Sequence, residues 1–336
     1  MNGPLNQAAD RAPLLQVRGL VKEFPGGGGF SFGGGARTIQ AVSDVSFDLF
    51  RGETLGLVGE SGCGKSTLAR SIARLTRPTG GSVWFKERDI AKLTQAEMRP
   101  LRKNLQFVFQ NPQASLHPSM RAHDIVAEPL RLLNLTRKEV DRRVAELLEQ
   151  VNLAPEHASR YPHEFSGGQR QRIGIARALA VKPDLIILDE PVSALDVSIQ
   201  AGILNLLKEI QKSTGIAYLF ISHDLSVVRH LCDRVAVMYL GKIVELAERD
   251  VLYESPRHPY TKSLLSAVPL HDPKLEKMRE RIVLKGDVPS PAAPPAGCRF
   301  HTRCFRREAL CSMEEPALVA GSTGQKYACH YPLGDR

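Results

Sequence analysis

The chain has 336 residues, of which 43% are hydrophobic and 24% are charged, and its formal net charge is +9. This composition excludes a disordered or fibrous protein, and the length predicts two or three structural units. No stretch approaches the roughly 18 uninterrupted apolar residues of a membrane-spanning helix, and the polar start of the chain lacks a signal-peptide core, so we expect a cytosolic location. The positive charge forms no basic block of the kind that binds nucleic acid, so we expect no nucleic-acid partner.

Predicted strands and helices alternate along the chain. Apolar runs and turn residues predict strands over 14–24, 38–49, 54–58, 105–109, 184–189 and 217–221. Helical patterning begins near Lys65, dominates 120–180 and returns over 198–213. Strands separated by helices favour an α/β core with a mostly parallel sheet. The Gly-rich insert at 26–35 is interpreted as a flexible surface loop, and the Pro-rich segment 287–295 as an extended linker.

One segment matches the phosphate-binding P-loop pattern: Gly59, Glu60, Ser61, Gly62, Cys63, Gly64, Lys65 and Ser66. It follows an apolar strand and opens a helix, which is the context that the pattern requires. The glycines let backbone N–H groups surround phosphate oxygens, Lys65 would reach the β- and γ-phosphates, and the Ser66 hydroxyl would ligate Mg²⁺. Cys63 is interpreted as a small filler of the loop, with a redox switch as the alternative.

Two further groups suit phosphate chemistry. Asp189 closes an apolar strand and can hold a metal ion, while the adjacent Glu190 can polarise an attacking water. Such a pair also occurs where a strand simply ends in a turn. Ser166 precedes Gly167 and Gly168 at the start of a helix, where a serine cap and two glycines form another anion site.

Taken together, these motifs resemble the ATP-binding subunits of ABC transporters, and they follow that family's order over residues 14–255. Phe165–Gln169 resembles the signature motif, Gln110 the Q-loop glutamine, Asp196 the D-loop aspartate and His223 the switch histidine. The resemblance implies that Glu190 and His223 are catalytic, and that Mg²⁺ is held by Ser66, Gln110 and Asp189. It implies ATP contacts from Phe24, which would stack on adenine, from Gln110, and from residues 59–66 and Thr67. Ser166, Gly167, Gly168 and Gln169 would contact the nucleotide of a partner subunit.

The resemblance narrows to the oligopeptide/dipeptide (peptide/nickel) importer subgroup. Residues 110–118 resemble its extended Q-loop, although His117 stands where we expect Asn. Residues 258–269 and 297–304 resemble its C-terminal extension. The implied fold is a P-loop ABC ATPase core over 1–255, with an antiparallel β subdomain, a helical subdomain at about 112–180, and a cysteine-containing extension over 256–336.

The implied function is ATP hydrolysis that powers import of di- or oligopeptides, with nickel or another small solute as the alternative. The implied partners are a second ABC ATPase (a paralogue or a second copy of this chain), two transmembrane permeases and an extracytoplasmic solute-binding protein. The implied location is the cytoplasmic face of the cell (inner) membrane, as a peripheral subunit.

Two other classes of protein compete with this interpretation. A soluble ABC protein that acts on ribosomes or DNA would fit the basic charge, but such proteins usually show tandem ATPase units or a long coiled coil. A non-enzymatic redox-sensing module could be built around the four cysteines near the end of the chain, which are described below. The complete set of Lys65, Asp189, Glu190 and His223 argues against an inactive ATPase.

Four cysteines crowd into the end of the chain: Cys298, Cys304, Cys311 and Cys329. Their spacing is too wide for a zinc knuckle and suits a [4Fe–4S] cluster, which some members of the subgroup are reported to carry. Four interleaved arginines would offset the negative charge of such a cluster. Zinc and reduced thiols are the alternatives.

Overall fold

The computed structural model describes residues 12–26, 38–268, 281–321 and 324–334. The predicted Gly-rich loop lies almost wholly outside the described residues. The chain divides into two compact units. The first contains residues 12–14, 49–54 and 92–221, and the second contains 15–48, 55–91 and the chain from 222 onward, each within the described ranges. The sequence-based boundary at residue 255 stays a prediction.

Regular structure accounts for much of both units. The strands of the described residues, β1 to β12 in chain order, are Leu15–Pro25, Thr38–Leu49, Thr54–Val58, Gly80–Phe85, Arg88–Asp89, Leu105–Val108, Leu185–Asp189, Ala217–Ser222, Arg234–Tyr239, Lys242–Glu248, Val319–Ala320 and Lys326–Tyr327. The helices, α1 to α11, are Lys65–Ile72, Gln95–Met98, Pro112–Ser115, Ala122–Ala127, Arg137–Gln150, Gly167–Leu179, Val197–Thr214, Leu225–Leu231, Arg249–Glu254, Pro259–Ser266 and Ala309–Met313. Within the described ranges, every helix is too short or too polar to cross a lipid bilayer.

The first unit contains a parallel sheet and the predicted helical subdomain. Strand β7 pairs in parallel with β6 and with β8. Every residue of β7 and β8 is buried, which is why both read as continuous apolar runs. Asp189 is the last residue of β7, so it lies at the carboxyl edge of this sheet. Helices α3 to α6 lie in the segment where the sequence predicts a helical subdomain, at about 112–180, and the bounds of that subdomain stay a prediction.

The second unit contains the predicted antiparallel β subdomain, in the strand order β2-β1-β4-β5. Strand β4 pairs antiparallel with both β1 and β5. A separate pairing joins β3 to β9 in parallel, and β9 continues through antiparallel β10 and β12 to β11. The P-loop follows the fully buried β3.

The predicted elements agree with the structure where a single segment carried a clear pattern. Strands β2 and β3 occupy the predicted ranges, and helix α7 extends the predicted one by one residue at each end. The sequence interpretation missed β4, β5 and β9 to β12. The short strands β5, β11 and β12 have two residues each, which is too few for an alternating pattern to emerge.

A buried carboxylate fastens the C-terminal segment to strand β10. Glu245 is fully buried, and its side chain accepts hydrogen bonds from the backbone N–H groups of Arg257 (2.6 Å) and His258 (3.0 Å) and from Gln325 Nε2 (2.6 Å). Burial raises the pKa of this carboxyl group. Its partners lie 12, 13 and 80 residues further along the chain, so one side chain orders the start and the end of the extension.

His258 caps helix α10 and makes stability depend on pH. Its Nδ1 accepts a hydrogen bond from the backbone N–H of Tyr260 (3.1 Å), and its ring lies 5.7 Å from the ring of Phe300. Burial lowers the pKa of His258 to about 3. The folded chain therefore keeps the ring neutral, while the unfolded chain binds a proton below about pH 6.5. The contribution of His258 to stability is therefore fully present above about pH 6.5 and is lost as the pH falls towards 3.

We expect the free energy of unfolding of the wild-type chain to fall between about pH 7.5 and 5.5 by about 1.4 kcal/mol more than that of His258→Asn. Asparagine retains a capping acceptor but does not titrate. Urea unfolding of both proteins at both pH values measures the difference. Glu245 titrates with the opposite sign, but it is present in both proteins, so it cancels in the comparison. Equal pH dependence in the two proteins would contradict the role of His258.

Candidate active site

The P-loop lies against two strands of the second unit. Gly59 has φ +154°, and a Cβ atom built there would lie 2.2 Å from the carbonyl oxygen of Met238 in β9. Gly64 has φ +108°, and its Cβ would lie 2.1 Å from the carbonyl oxygen of Ala41 in β2. A side chain at either position would displace backbone. These glycines therefore allow the tight loop that brings backbone N–H groups around a phosphate.

Lys65 is the first residue of helix α1 and is only 4% exposed. Its ammonium group donates to the carbonyl oxygens of Gly59 (2.8 Å) and Glu60 (3.0 Å). The lysine thus bridges the two ends of the loop in which it lies. Burial raises the pKa of the adjacent Cys63 thiol, so this cysteine stays protonated at neutral pH, which favours the filler role over a reactive thiol.

Glu60, the second residue of the P-loop, is held from outside the loop. Its backbone N–H donates to the Tyr260 hydroxyl at 2.9 Å. Its carboxylate accepts a hydrogen bond from Arg303 Nη1 at 2.7 Å, which makes an ion pair. Both partners belong to the C-terminal segment, and the Tyr260 side chain is fully buried.

A second group of predicted residues meets at the end of β7. The Gln110 side-chain amide donates to Glu190 Oε2 at 2.9 Å, across 80 residues of sequence. Glu190 has φ +47°, and its N–H donates to the Ile221 carbonyl oxygen at 3.1 Å. The preceding Asp189 is buried, with 1% exposure. The structure therefore brings the Q-loop glutamine and the predicted catalytic carboxylate into direct contact.

The predicted signature motif forms the N-terminus of helix α6. Ser166 is its N-cap: its hydroxyl accepts a hydrogen bond from the Gln169 N–H (3.3 Å), and Gln169 Oε1 accepts one from the Ser166 N–H (3.0 Å). A Cβ atom on Gly168 would lie 2.4 Å from Ile199 in helix α7. Glycine at 168 thus allows the signature helix to pack closely against α7, while Ser166 remains exposed.

Three arginines of α6 have a structural role. Arg170, Arg172 and Arg177 donate to the carbonyl oxygens of Pro162 (2.7 Å), Val151 (2.7 Å) and Ser115 (2.8 Å), respectively. Ser115 belongs to the Q-loop extension. The last contact therefore joins the Q-loop extension to the signature helix within the helical subdomain.

The remaining predicted residues lie at accessible positions. His223 is exposed directly after β8, and Asp196 is the exposed N-cap residue of α7. Phe24 is half-buried on β1, with the Lys22 ammonium 4.6 Å from its ring centroid. Ser66 and Thr67 are half-buried in α1, and Ser61 and Gly62 are exposed. The roles of these residues towards nucleotide stay predictions.

Two family models match the chain. The ABC transporter model matches residues 42–193, and the oligopeptide/dipeptide transporter C-terminal region matches residues 244–311. The oligopeptide transport ATP-binding protein AppF of Bacillus subtilis (strain 168) is 53% identical over 325 residues, which cover 96% of this chain and 98% of that protein. The chain therefore belongs to the ABC transporter ATP-binding family.

Other comparisons agree with this assignment. A probable peptide ABC transporter ATP-binding protein of Sinorhizobium fredii, y4tS, is 52% identical over 94% of this chain and 89% of that protein. Among solved structures, the ATP-binding cassette MJ0796 bound to ADP and phosphate has a TM-score of 0.63 at 29% identity, covering 70% of this chain and 98% of that chain. The cbiO1 protein of Clostridium perfringens, part of an ABC transporter complex, has a TM-score of 0.62 at 28% identity, covering 72% of this chain and 91% of that chain. These matches confirm the predicted ABC ATPase fold.

An ABC ATPase uses ATP and Mg²⁺, and the P-loop of this member suits both. The backbone at Gly59 and Gly64 leaves no space for side chains, and the loop leads into helix α1, whose positive end favours phosphate. The Ser66 hydroxyl, near the start of α1, offers an oxygen ligand of the kind that Mg²⁺ prefers. When bound, the ion would neutralise charge on the phosphates.

The predicted iron–sulfur cluster is not supported in this ABC ATPase. Cys298 donates its backbone N–H to the Cys311 carbonyl oxygen (2.8 Å), and the thiols of Cys304 and Cys329 interact electrostatically with the other cysteines of the quartet. Within the described parts of the chain, however, no group of three or more His, Cys, Asp or Glu side chains is arranged to hold a metal ion. Burial raises the pKa of Cys304 to about 11 and that of Cys329 to about 12. The quartet is therefore gathered in one region without forming a ligand set.

Two contacts with the P-loop of this ATPase were missed by the sequence interpretation. Tyr260 and Arg303 were assigned only to the C-terminal extension, and the ATP site was expected to lie within residues 14–255. Arg303 lies between two cysteines of the quartet, and from the sequence it was interpreted as one of the arginines that offset the negative charge of a cluster. Nothing in its local pattern indicates a partner 243 residues earlier in the chain.

Proposed function

We propose that this ABC ATPase hydrolyses ATP to power the import of di- or oligopeptides through separate membrane subunits. The observation that carries the ATPase function is the contact between Gln110 and Glu190 at the end of β7. The C-terminal region matched at 244–311 and the relatives named for oligopeptide and peptide transport support peptides as the transported class, ahead of nickel.

In the proposed reaction, the P-loop backbone and Lys65 hold the phosphates, and Phe24 stacks on the adenine. Ser66, Gln110 and Asp189 hold Mg²⁺ or its water ligands. Glu190 orients the attacking water and accepts its proton, while Gln110 keeps the carboxylate in place through the 2.9 Å hydrogen bond. His223 contributes to the same step from the end of β8. The proposed reaction uses ATP and Mg²⁺, and it involves no iron–sulfur cluster.

We further propose that each active site needs two ATPase subunits. Ser166, Gly167, Gly168 and Gln169 would contact the nucleotide held by the partner, because Ser166 is exposed at the N-terminus of α6, where anions bind well. Asp196 would lie at the same interface. The partner would be a second copy of this chain or a paralogue. Hydrolysis would release the contact and open the pair.

The remaining partners follow from the transport function. Two permease subunits would provide the path through the membrane, and an extracytoplasmic binding protein would deliver the solute. The ATPase would lie at the cytoplasmic face of the inner membrane as a peripheral subunit. The Q-loop extension is suited to carry the coupling, because Arg177 links it to the signature helix.

We expect proteoliposomes containing the ATPase and its two permeases to take up labelled peptide only with MgATP and the binding protein. Glu190→Gln complexes should show no uptake, while the matched surface variant Glu149→Gln should behave as wild type. Radiolabelled nickel should not accumulate. Nickel uptake without peptide uptake would overturn the proposed substrate, and failure of ATP to drive either would overturn the transport function.

A further inference from the structure

The segment Cys298–Cys304 contacts the P-loop and its supports through two arginines. Arg303 reaches Glu60 directly at 2.7 Å, and its side chain is only 9% exposed. Arg299 donates to the carbonyl oxygen of Leu240 and, at 2.7 Å, to Gln40 Oε1. The next residue, Gly241, donates its N–H to the Cys63 carbonyl oxygen of the P-loop at 2.8 Å. This short segment therefore contacts the first half of the P-loop directly at Glu60, and it supports the second half indirectly, through the Leu240–Gly241 backbone.

An aromatic cluster holds this segment in place. Phe300 is 1% exposed, and its ring centroid lies 5.2 Å from the rings of both Tyr239 and Tyr260. Tyr239 and Tyr260 are themselves in contact, with centroids 4.7 Å apart. Tyr260 therefore packs against the segment that carries Arg303 while its hydroxyl accepts the Glu60 N–H.

Hydrogen bonds therefore hold three groups of Glu60. Its N–H is bound by Tyr260, its carbonyl oxygen by Lys65, and its carboxylate by Arg303. Fixing a binding loop in advance lowers the conformational cost of binding. The arginine also neutralises a carboxylate that lies within the phosphate-binding loop, where an unpaired negative charge would oppose ATP.

We propose that Arg303 and Tyr260 are positioning residues of the P-loop, so that the C-terminal extension is part of the ATP-binding apparatus. The inference rests on the proposed role of the P-loop in holding ATP and adds to it the source of the loop's shape and charge. Both residues act through Glu60, which they hold by hydrogen bonds. Both should therefore act on the affinity for ATP and leave the chemical step alone.

We expect Arg303→Met to weaken MgATP binding about tenfold, which is the effect of losing one charge-assisted hydrogen bond. Tyr260→Phe removes a single oxygen atom and should weaken binding about threefold, since a neutral hydrogen bond contributes less. Adding Glu60→Gln to Arg303→Met should recover part of the loss, because it removes the unpaired negative charge. The measurement is equilibrium titration of the full chain with a fluorescent ATP analogue.

The matched control is Arg307→Met, an exposed arginine of the same region, which should bind as wild type. Steady-state hydrolysis in the assembled transporter separates positioning from folding. Positioning predicts a higher KM for ATP at unchanged kcat, whereas partial unfolding lowers kcat at unchanged KM. If Arg303→Met does not fold, Tyr260→Phe provides the test by itself.

The proposal is overturned if Arg303→Met and Tyr260→Phe both bind MgATP like the wild type, or if their only effect is on kcat. It is also overturned if Glu60→Gln restores nothing and Arg307→Met is equally damaging. Lys65→Ala distinguishes this failure from that of the proposed function. If Lys65→Ala binds MgATP about 10–100-fold more weakly than the wild type, the P-loop function stands even where Arg303→Met and Tyr260→Phe have no effect.

Discussion

Glu190→Gln is expected to bind MgATP like the wild-type chain and to hydrolyse it about 10²–10⁴-fold more slowly, because glutamine cannot accept the proton of the attacking water. The structure indicates that this substitution removes the base without displacing the side chain. Glu190 is fixed by its backbone hydrogen bond to Ile221 and by the Gln110 amide, and a glutamine oxygen can still accept the latter bond. Single-turnover hydrolysis and ATP titration measure the two parts of the expectation.

The control is Glu149→Gln, which makes the same chemical change on the exposed surface of helix α5 and should hydrolyse ATP normally. The Glu190→Gln variant should also accumulate as an ATP-bound pair of subunits, which size-exclusion chromatography with MgATP would detect. Near-normal turnover in the Glu190→Gln variant would remove Glu190 from the mechanism.

Lys65→Ala is expected to weaken MgATP binding about 10–100-fold, since the ammonium group supplies charge-assisted hydrogen bonds to phosphate. Lys65 also bridges the carbonyl oxygens of Gly59 and Glu60, so its removal loosens the loop. Both effects lower affinity. Titration with a fluorescent ATP analogue measures it, and the exposed Lys212→Ala in helix α7 is the matched control.

Unchanged affinity in Lys65→Ala would show that the P-loop lysine does not reach the phosphates. A loss of affinity shared by Lys212→Ala would indicate a general effect of charge. The expected pattern is a loss at Lys65 alone, with a folded chain by circular dichroism in both variants.

The sequence alone could predict the short motifs of the candidate active site, because each depends on local chemistry. The P-loop, the acidic end of β7 and the start of α6 are each a short run whose residues must stand in a fixed order to turn the backbone or to cap a helix. Gly59 and Gly64 illustrate this, because their positive φ angles and close backbone contacts admit only glycine. Two strands were also predictable from local patterns: β3 is a continuous buried run, and in β2 buried residues alternate with less buried ones over residues 45–49.

Contacts between segments that are distant in the chain could not be predicted from the sequence. The pairing of β10 with both β9 and β12, the burial of Glu245 among the groups that it binds, and the placement of the cysteines depend on which surfaces meet. The cysteine spacing favoured a cluster, but the folded segment gathers the thiols without arranging three of them as ligands within the described residues. Spacing along a chain sets no distance between side chains on different elements.

The sequence by itself determined that this protein has a P-loop ATPase core, and it predicted which residues belong to its motifs, because each motif is a short run of residues that either binds phosphate or ends a strand. Only the tertiary structure decided that Gln110 contacts Glu190, and that Tyr260 and Arg303 hold Glu60 across 200 and 243 residues. The physical reason is that such hydrogen bonds depend on the packing of whole elements. The Tyr239, Tyr260 and Phe300 rings fix the position of Arg303, and no periodicity within one segment encodes that arrangement.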